Sequence, residues 1–538
     1  MKSSNVIAGV AALLGAPAAL AWVSPHAYRA RLVNRQVAAR DVKAPRAALR
    51  RSELQYFNNK SSPFYVDGTK IPEVDFNVGE SYAGLIPVDA SKPESEQQKN
   101  FFWFFPTENP AGKDDIILWF NGGPGCSSME GFLQENGPFT WQYGTLKPVP
   151  NVWSWHKLAN QRVEYPIGTG FSSGNVTATN NDETAEQFNG FWKNFIDTFD
   201  LKGKKIYITG ESYAGIYVPY VGAAMLDKND TGYFNVKGAL YYDPVMPYWG
   251  DLGLDHAAFP AFHRYWENIF ALPNDVKKQI SDANEKLGLD QYLNKYLSYP
   301  PPPTPWPNVT RDPDHDVIDT FRNSMTIINP CFNGYHVMDQ CPVLWDVLGF
   351  PSVAYTPPGA TLYFNYPDVR RAIHVPVDYP AWSKCQGPVF VDNNDDNYNG
   401  AEHEIKFQTL VERTNNVHIG SGLADYVVQP NVTALGIQRV TWNGKQGFQT
   451  APSEDLVIPA VNNNNDNVPS WSGYSVQGTV HTERGFTHST AKLSGHMIPQ
   501  YAPATALRHV EHLLGRVESL SSSAPWTVNI SMSFEWPY

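Results

Sequence analysis

The stretch that most constrains the fold is residues 204–215, a short apolar run that leads into a serine set between small residues. Residues 206–209 are β-branched or aromatic, which favours a buried strand. Gly210 and Ala214 lie two residues on either side of Ser212, which gives a G-x-S-x-G pattern with alanine in the last place. This pattern is typical of a sharp strand-to-helix turn that exposes a serine hydroxyl, because only small residues fit beside so tight a turn. The pattern also occurs in ordinary loops, so a nucleophile needs partners elsewhere in the chain.

The N-terminal residues predict targeting and processing segments that precede the fold. Lys2 is followed by an apolar run over residues 6–20 that ends in a small-x-small sequence, so we interpret residues 1–21 as a secretory signal peptide. The run is too short to cross a bilayer. Residues 22–51 hold eight basic residues and one acid and end in a dibasic pair, which indicates a propeptide. The alternative is a basic, unstructured mature terminus.

The charge of the remaining chain argues against several classes of partner. The whole chain has a net charge of −12, and its first 51 residues contribute +8, so the other residues carry −20. A surface this acidic argues against nucleic acid or an anionic membrane as a partner, and it is compatible with work at low pH. The polar C-terminus predicts neither a lipid anchor nor a membrane helix. We therefore expect a secreted protein, with the vacuole as the alternative location.

Sequons and cysteines fit that compartment. Six Asn-x-Ser/Thr sequons are typical of a glycosylated secreted protein. They are Asn59, Asn175, Asn229, Asn308, Asn431 and Asn529. The four cysteines allow three pairings by number alone, and secretion permits disulfides.

The order of the apolar patterns predicts an α/β protein with a parallel sheet. Residues 115–120 have the pattern of a buried strand that enters a glycine-rich loop, and residues 182–199 have helical spacing before the strand that leads to Ser212. Strand, helix, strand, turn and helix in this order are typical of the α/β class. Edge strands are expected within 63–105, and the last helix is expected at 505–514.

The alternation of strand and helix patterns stops in the middle of the chain, where helical and proline-rich stretches predict an insertion. The alternating pattern resumes at 369–374 and 417–419, and residues 462–467 indicate a surface loop. The predicted organisation is a first core part at 52–245, a largely helical insertion (cap) region at 246–355 and a second core part at 356–538.

Two further residues complete a candidate catalytic triad. In the α/β-hydrolase fold the triad runs serine, acid, histidine along the chain, each at the carboxyl end of a strand. Asp425 follows an apolar strand and a glycine-rich turn, and His496 lies shortly before the last helix. The histidine would take the proton of Ser212, and the buried acid would fix its tautomer. Asp425 could instead be an ordinary turn or cap residue.

Other histidines compete for a role. His488 is a rival to His496, and His509 and His512 lie one helical turn apart. That pair could suggest a metal site, but the sequence offers no third ligand, so we interpret it as a solvated helix face. The sequence predicts neither a metal nor a cofactor.

The chain resembles the serine carboxypeptidase family over nearly its whole length after the predicted propeptide. The motifs that carry the resemblance are 119–128 (WFNGGPGCSS), 135–139 (ENGPF), 151–155 (NVWSW), 166–172 (PIGTGFS), 210–215 (GESYAG) and 495–499 (GHMIP). The stretches 329–333 (NPCFN) and 441–448 (TWNGKQGF) are most similar to the fungal secreted branch. The resemblance favours His496 over His488 and Asp425 over the other acids.

The resemblance also implies how the substrate is held. The backbone amides of Gly123 and Tyr213 would form the oxyanion hole. Asn121, Glu135 and Glu211 match the residues that bind the terminal carboxylate of a peptide. Because two neighbouring carboxylates repel each other, the pKa of one of the two glutamates should rise. Its carboxyl is then protonated in acid and can donate a hydrogen bond.

In two respects the chain departs from the family. The family often has Gly-Asp-x-Asp before its catalytic acid, whereas residues 422–425 are GLAD, which removes a support for the loop but keeps Asp425. The chain also has fewer cysteines than many members, and those retained imply disulfides Cys126–Cys385 and Cys331–Cys341.

The interpretation from the sequence is a secreted serine carboxypeptidase. It would release C-terminal residues of peptides and proteins through an acyl-enzyme on Ser212, and it would favour acid. One alternative is an acyltransferase on the same scaffold, and another is a non-catalytic stabilising protein that keeps the fold. A generic lipase or esterase would have no use for Asn121, Glu135 and Glu211 together.

Overall fold

The computed structural model describes most of the chain after the predicted propeptide. The described residues are 50–141, 145, 147–158, 160–312, 316–342, 346–348, 360–391, 399–461 and 474–530. The predicted signal peptide, all but the last two residues of the predicted propeptide and the loop predicted at 462–467 lie outside them.

Fifteen strands and fourteen α-helices are found among the described residues. The strands are β1 (Tyr65–Asp67), β2 (Glu80–Pro87), β3 (Lys99–Phe105), β4 (Asp115–Phe120), β5 (Phe139–Thr140), β6 (Val149–Pro150), β7 (Asn160–Val163), β8 (Lys205–Glu211), β9 (Val236–Tyr242), β10 (Val417–Gly422), β11 (Thr441–Trp442), β12 (Lys445–Gln446), β13 (Glu454–Ile458), β14 (Ser475–Glu483) and β15 (Phe486–Ala491). The helices are α1 (Met129–Gly131), α2 (Asn181–Phe199), α3 (Ala214–Asp227), α4 (Trp249–Leu252), α5 (Leu254–Tyr265), α6 (Glu267–Phe270), α7 (Asn274–Leu287), α8 (Leu289–Tyr296), α9 (Val317–Ile328), α10 (Pro367–Ala372), α11 (Gly400–Thr414), α12 (Pro430–Arg439), α13 (Ile498–Tyr501) and α14 (Pro503–Leu513).

The central sheet has seven strands in the order β13-β14-β15-β10-β9-β8-β4. The five strands from β15 to β4 are mutually parallel, and β14 and β13 complete one edge in antiparallel pairing. Because parallel neighbours end at the same edge, the residues that follow β8, β9, β10 and β15 are brought to one side of the sheet. The predicted strands at 115–120, 206–209 and 417–419 are confirmed as β4, β8 and β10. The edge strands expected within 63–105 are β1, β2 and β3, which with β7 form an antiparallel sheet.

The helix predicted at 182–199 is confirmed as α2, and its aromatic stripe explains its place. The Asn180 side chain caps the helix by accepting a hydrogen bond from the Glu183 amide. Phe188, Trp192 and Phe195 are fully buried in the largest core cluster, which lies between this helix and the sheet. Burying each such side chain contributes about 1.5–3 kcal/mol relative to leaving it in water.

The opposite face of the sheet is covered by the last helix. The sequence predicts this helix at 505–514, and the structure has it as α14. Leu507 and Val510 on the helix pack in one cluster with Trp119 of β4 and Tyr242 of β9. The sheet is therefore covered on both faces, as a parallel sheet requires.

Helices α4 to α9 form a region with a core of its own. Phe259 of α5 and Phe321 of α9 are buried there, with ring centroids 5.1 Å apart. Tyr426 joins the same cluster, with its ring 5.1 Å from that of Phe321. Because Tyr426 directly follows Asp425, this helical region packs against the loop that carries the predicted catalytic acid. The boundaries predicted for the insertion stay a prediction.

Where the alternating pattern resumes, at 369–374, the structure has the short helix α10, which begins at Pro367. Proline at the first helical position has a fixed φ that suits a helix start. Among the described residues, no helix combines the length and the apolar character that crossing a membrane would require.

Candidate active site

Ser212 lies on the turn between β8 and α3. Its φ is +63°, in the left-handed region that non-glycine residues rarely adopt. Its amide donates a hydrogen bond to the carbonyl of Tyr242, 2.9 Å away, which fixes the turn against the next strand. A Cβ on Gly210 would lie 2.6 Å from the Cβ of Ala214. The turn therefore needs small residues at these places, as its sequence pattern predicts.

The glycine-rich loop after β4 touches this turn. A Cβ on Gly122 would lie 2.5 Å from the amide nitrogen of Tyr213 and 2.7 Å from the Cβ of Ser212. Such distances are shorter than packed atoms allow, so only glycine lets the loop approach the turn so closely. The predicted oxyanion donors Gly123 and Tyr213 thus belong to two segments that are in direct contact.

Glu164 holds the same glycine-rich loop in place through hydrogen bonds. Its carboxylate oxygens accept hydrogen bonds from the Ser127 hydroxyl at 2.5 Å and from the Ser128 amide at 3.0 Å. The indole of Trp382 donates to the Ser127 oxygen at 3.1 Å. Complete burial raises the pKa of Glu164 to about 8, and these hydrogen bonds oppose the rise. The sequence analysis did not find this residue.

Asp425 and His496 form the hydrogen-bonded pair that the sequence predicts. Asp425 follows β10 and His496 follows β15, and the two strands are neighbours in the sheet. The carboxylate Oδ2 lies 2.6 Å from Nδ1 of His496, and both side chains are buried. The other oxygen of Asp425 accepts the amide of Val427 at 2.7 Å. Burial raises the pKa of Asp425, and the interactions with His496 oppose this effect.

The second nitrogen of His496 is the one that would serve as the base. Nε2 is buried and makes no hydrogen bond within the described residues, the Ser212 hydroxyl included. Ser212 lies at the same edge of the sheet, with only β9 between its strand and β10. Hydrogen bonds of catalytic groups are often long without substrate and shorten in the reacting complex.

The three residues predicted to bind a carboxylate come together at this edge. Nδ2 of Asn121 donates to Oε1 of Glu211 at 2.6 Å and to Oε1 of Glu135 at 3.4 Å. The amide oxygen of Asn121 accepts the indole N–H of Trp119 and the Gly131 amide, which fixes the orientation of the side chain. All three predicted residues are at least 96% buried.

The electrostatics of this cluster favour a bound proton. Burial raises the pKa of Glu211 well above its usual value, and the neighbouring charges of Glu135 and Glu130 raise it further. The hydrogen bond from Asn121 opposes the rise. At acid pH the cluster therefore holds a neutral carboxyl, which can donate a hydrogen bond.

Three residues near these groups were missed by the sequence analysis. Asp243 follows β9 and is fully buried, and its polar atoms lie within 4.8 Å of those of Asp425 and His496. The ring of Tyr335 lies 5.1 Å from that of His496, and Glu130 pairs with Lys384 at 3.1 Å. The sequence held a signal for Asp243, since an acid that follows an apolar strand is part of the pattern that indicated Asp425. Asp243, Asp425 and His496 therefore lie close together, and the hydrogen bond to Asp425 already occupies Nδ1 of His496.

Both disulfides implied by the resemblance are present. Cys126–Cys385 joins residues 259 apart in the sequence, and it ties the glycine-rich loop to the chain near Trp382. Cys331–Cys341 closes a short loop that contains Tyr335. The carbonyl of Tyr335 accepts the amide of His496 at 2.8 Å, so this loop contacts the predicted base directly.

The rival histidines lie in the interior. His488 is on β15, within the sheet, and its Nε2 lies 3.2 Å from the Ser421 hydroxyl oxygen. Burial lowers the pKa of His488 to about 4 and that of His509 to about 3. The interpretation of His509 and His512 as a solvated helix face is wrong: His509 is fully buried and His512 is half-buried, because this face of α14 packs on the sheet.

The predicted glycosylation sites differ in exposure. Five of the six asparagines are exposed; these are Asn59, Asn175, Asn229, Asn308 and Asn529. Asn431 is half-buried in the first turn of α12, and the threonine of its sequon, Thr433, is fully buried. Accessibility therefore favours the other five, and glycosylation at all six stays a prediction.

A serine on a sharp strand-to-helix turn, an Asp–His pair after later strands and a mostly parallel sheet together define an α/β-hydrolase. A family model described as serine carboxypeptidase matches residues 72–516. The chain is 44% identical over 489 residues to a probable serine carboxypeptidase of Arthroderma benhamiae, covering 88% of this chain and 90% of that one. It is 42% identical over 485 residues to serine-type carboxypeptidase F of Aspergillus niger, covering 87% and 90%.

The chain therefore belongs to the serine carboxypeptidase family, and it is a serine-type carboxypeptidase that acts on peptides. The fold is similar to that of a solved prohormone-processing carboxypeptidase, Kex1(delta)p of Saccharomyces cerevisiae, with a TM-score of 0.64 and 21% identity. That match covers 85% of this chain and 96% of the yeast chain.

Proposed function

We propose that the protein releases C-terminal residues from peptides and proteins through an acyl-enzyme on Ser212, and that it does so best in acid. His496 takes the serine proton as the hydroxyl attacks the last peptide bond, while Asp425 holds the Nδ1 proton in place. The amides of Gly123 and Tyr213 stabilise the negative oxygen of the tetrahedral intermediate, and the loss of one such donor typically slows a reaction by about 10²–10³. As the intermediate collapses, the C–N bond breaks, His496 gives the proton to the amine of the departing C-terminal residue, and the rest of the peptide stays on Ser212 as an ester. Water, deprotonated by the same histidine, then hydrolyses this ester and releases the shortened peptide.

The observation that carries the proposal is the carboxylate cluster next to the nucleophile. Glu211 directly precedes Ser212, and its carboxyl is joined to Glu135 through the side-chain amide of Asn121. A terminal carboxylate bound here places the last peptide bond beside the Ser212 hydroxyl. An exopeptidase needs such a fixed distance between the chain end and the bond that is cut.

The protonation of this cluster supports a preference for acid. A peptide's terminal carboxyl ionises at a pH of about 3.5. The pKa of Glu211 is raised by burial and by the charges of Glu135 and Glu130, so its carboxyl stays protonated well above that pH. Between the pKa of the substrate's terminal carboxyl and the raised pKa of Glu211, the neutral Glu211 carboxyl can donate a hydrogen bond to the ionised carboxylate of the substrate. Above the raised pKa of Glu211 the site becomes fully ionised and repels the substrate.

The test is the pH dependence of KM for a blocked dipeptide with a free carboxyl terminus. We expect KM of the wild type to rise from pH 5 to pH 8 and KM of Glu211→Gln to change little, because the glutamine amide stays neutral. The same dipeptide with an amidated terminus is the matched control and should bind weakly at every pH. A wild-type KM that does not depend on pH, or equal binding of the amidated control, would reject the carboxylate site.

The catalytic roles are tested separately. Ser212→Ala should lose turnover and keep the thermal unfolding profile of the wild type. Normal hydrolysis by this variant would exclude Ser212 as the nucleophile, whatever the result for KM.

Secretion is proposed from the charge and order of the N-terminal segments, with neither nucleic acid nor membrane as a partner. The net charge of −20 after residue 51 supports an acidic compartment outside the cytosol. N-terminal sequencing of protein recovered from the culture medium should find a chain that begins near residue 52. A mature chain that still begins within residues 1–21 would contradict both predicted cleavages.

A further inference from the structure

Asp243 lies beside Asp425 and His496 of the predicted triad. It has none of the roles assigned so far. It follows β9, the strand between those that lead to Ser212 and to Asp425. The residue is fully buried, with φ of +42°. Its Oδ1 accepts the amide of Gly422 at 2.8 Å, and the amide of Asp425 in turn donates to the carbonyl of Gly422 at 3.2 Å. Asp243 therefore holds the end of β10 from which the loop with the catalytic acid begins.

The second oxygen of Asp243 has no hydrogen-bond partner among the described residues. A carboxylate of Asp243 and one of Asp425, both fully buried and with polar atoms within 4.8 Å of each other, would repel strongly. Two carboxyl groups in such a site share a proton and do not both ionise.

The hydrogen bonds decide which of the two keeps the proton. Asp425 is stabilised as a carboxylate by Nδ1–H of His496 and by the amides of Val427 and Val428. Asp243 receives one amide, that of Gly422. Hydrogen bonds to the charged form favour it, so the ionised group is Asp425 and the neutral group is Asp243. Burial and the charge of Asp425 correspondingly raise the pKa of Asp243 well above its usual value.

The titratable groups around Asp243 come from three elements. Asp425 is on the loop after β10, and His496 is on the loop before α13. Tyr242 is the last residue of β9 and directly precedes Asp243, and a charge on Asp243 would add to the effect of burial in raising the pKa of the Tyr242 phenol. Of these groups, Asp425 is the one whose charge acts on Asp243.

We propose that Asp243, in its acid form, is a positioning residue of the triad: one oxygen holds Gly422, and the other keeps its proton so that a single negative charge faces His496. The proposal rests on the triad assigned under the proposed function. It assigns to Asp243 the support that the family's missing acid, replaced here by Leu423, would have given from within the loop.

The test uses the rate at which a fluorophosphonate labels Ser212, measured as a function of pH. This reagent carries no carboxylate, so its rate does not depend on the site at Glu211. Labelling needs the base form of the triad, so its rate falls in acid and the profile has an acid limb. In Asp243→Asn the amide oxygen can accept the Gly422 amide and the NH₂ group replaces the acid proton, so we expect an unchanged acid limb. If Asp243 were ionised, removing a charge whose atoms lie within 4.8 Å of those of Asp425 and His496 would move the limb to lower pH by about two units. Such a movement would overturn the proposal.

A second variant tests positioning. Asp243→Ala leaves the Gly422 amide without its partner, and we expect labelling to slow by roughly 10²-fold while Asp243→Asn stays near the wild-type rate. An alanine variant that labels as fast as the wild type, or a folded asparagine variant as slow as the alanine one, would refute the positioning role. If the alanine variant does not fold, the acid limb of Asp243→Asn still decides the proposal.

Two controls separate this result from the proposed function. Asp115→Asn removes a buried carboxyl at the opposite end of the sheet, where β4 begins, and its labelling profile should match that of the wild type. Ser212→Ala should not be labelled. Labelling of that variant would reject the triad itself, whereas a shifted limb in Asp243→Asn would reject only the acid form of Asp243.

Discussion

Replacing His403 with glutamine should make the fold less sensitive to acid. His403 is fully buried on α11, and its Nε2 lies 2.8 Å from the carbonyl oxygen of Gly215 in the first turn of α3. Because a carbonyl only accepts, Nε2 must carry a hydrogen. Burial lowers the pKa of this imidazole to about 4, and the bond to Gly215 opposes the effect.

The sign and size of the effect follow from these values. The folded pKa lies below the unfolded value of about 6.5, so the stability from the neutral ring is complete above pH 6.5 and is lost as the pH falls toward 4. Between pH 7.5 and pH 4.5 the unfolded chain binds this proton and the folded chain largely does not. The free energy of unfolding should fall by about 2.5 kcal/mol through this residue alone.

The assay is urea unfolding of the wild type and of His403→Gln at pH 7.5 and pH 4.5. The glutamine amide can donate to Gly215 but does not titrate, so the variant should lose about 2.5 kcal/mol less than the wild type over this range. Any difference in packing between the two side chains is present at both pH values and cancels. Equal losses in the two proteins would refute the reasoning.

His256 provides a matched control of opposite sign. Burial would lower its pKa, but hydrogen bonds and charges from Asp255 and Asp316, each 2.9 Å from a ring nitrogen, outweigh burial and raise it. Stability from this group is complete below pH 6.5 and is lost as the pH rises through the raised pKa. His256→Gln should therefore destabilise the protein in acid and have a smaller effect at pH 7.5.

Three further substitutions test the packing around the site and the C-terminal helix. Gly122→Ala should lower kcat strongly, because its Cβ would lie 2.5 Å from the amide nitrogen of Tyr213 and would push apart the two segments that carry the predicted oxyanion donors; full activity would contradict the close approach. Cys341→Ser should lower kcat more than it raises KM, since Tyr335 in the opened loop accepts the amide of the predicted base, His496; steady-state kinetics in which only KM changes would contradict this. Arg508→Met should destabilise the fold by about 3–5 kcal/mol in urea unfolding, because it leaves the fully buried carboxylate of Glu511 without its charge partner. A loss below about 1 kcal/mol would show that this pair adds little.

The sequence predicted most accurately the features that depend on neighbouring residues. The aromatic spacing of residues 182–199 predicts α2 to within one residue, because one helical face must be buried against the sheet. The small residues around Ser212 indicate the turn, since the geometry of a tight turn excludes larger side chains. The resemblance supplied what spacing could not, namely the two disulfide pairings.

Groups that meet only through the fold could not be found in this way. Asp243 follows a strand as Asp425 does, but its closeness to His496 depends on the order of β9, β10 and β15 in the sheet. Likewise, His509 has the spacing of an exposed helix position, and only the packing of α14 on the sheet shows that it is buried. Burial and long-range pairing are properties of the assembled chain, so local patterns do not contain them.

The left-handed backbone at Ser212 lowers the stability of the fold at the residue that the proposed reaction requires. A residue with a Cβ is held in this conformation at an expense of about 1–2 kcal/mol, whereas glycine adopts it freely. A chain with glycine at position 212 should therefore withstand heat better than the natural protein and lack the proposed activity. Laboratory evolution for thermal tolerance alone would tend to replace the predicted nucleophile, so such selections need an activity screen in every round.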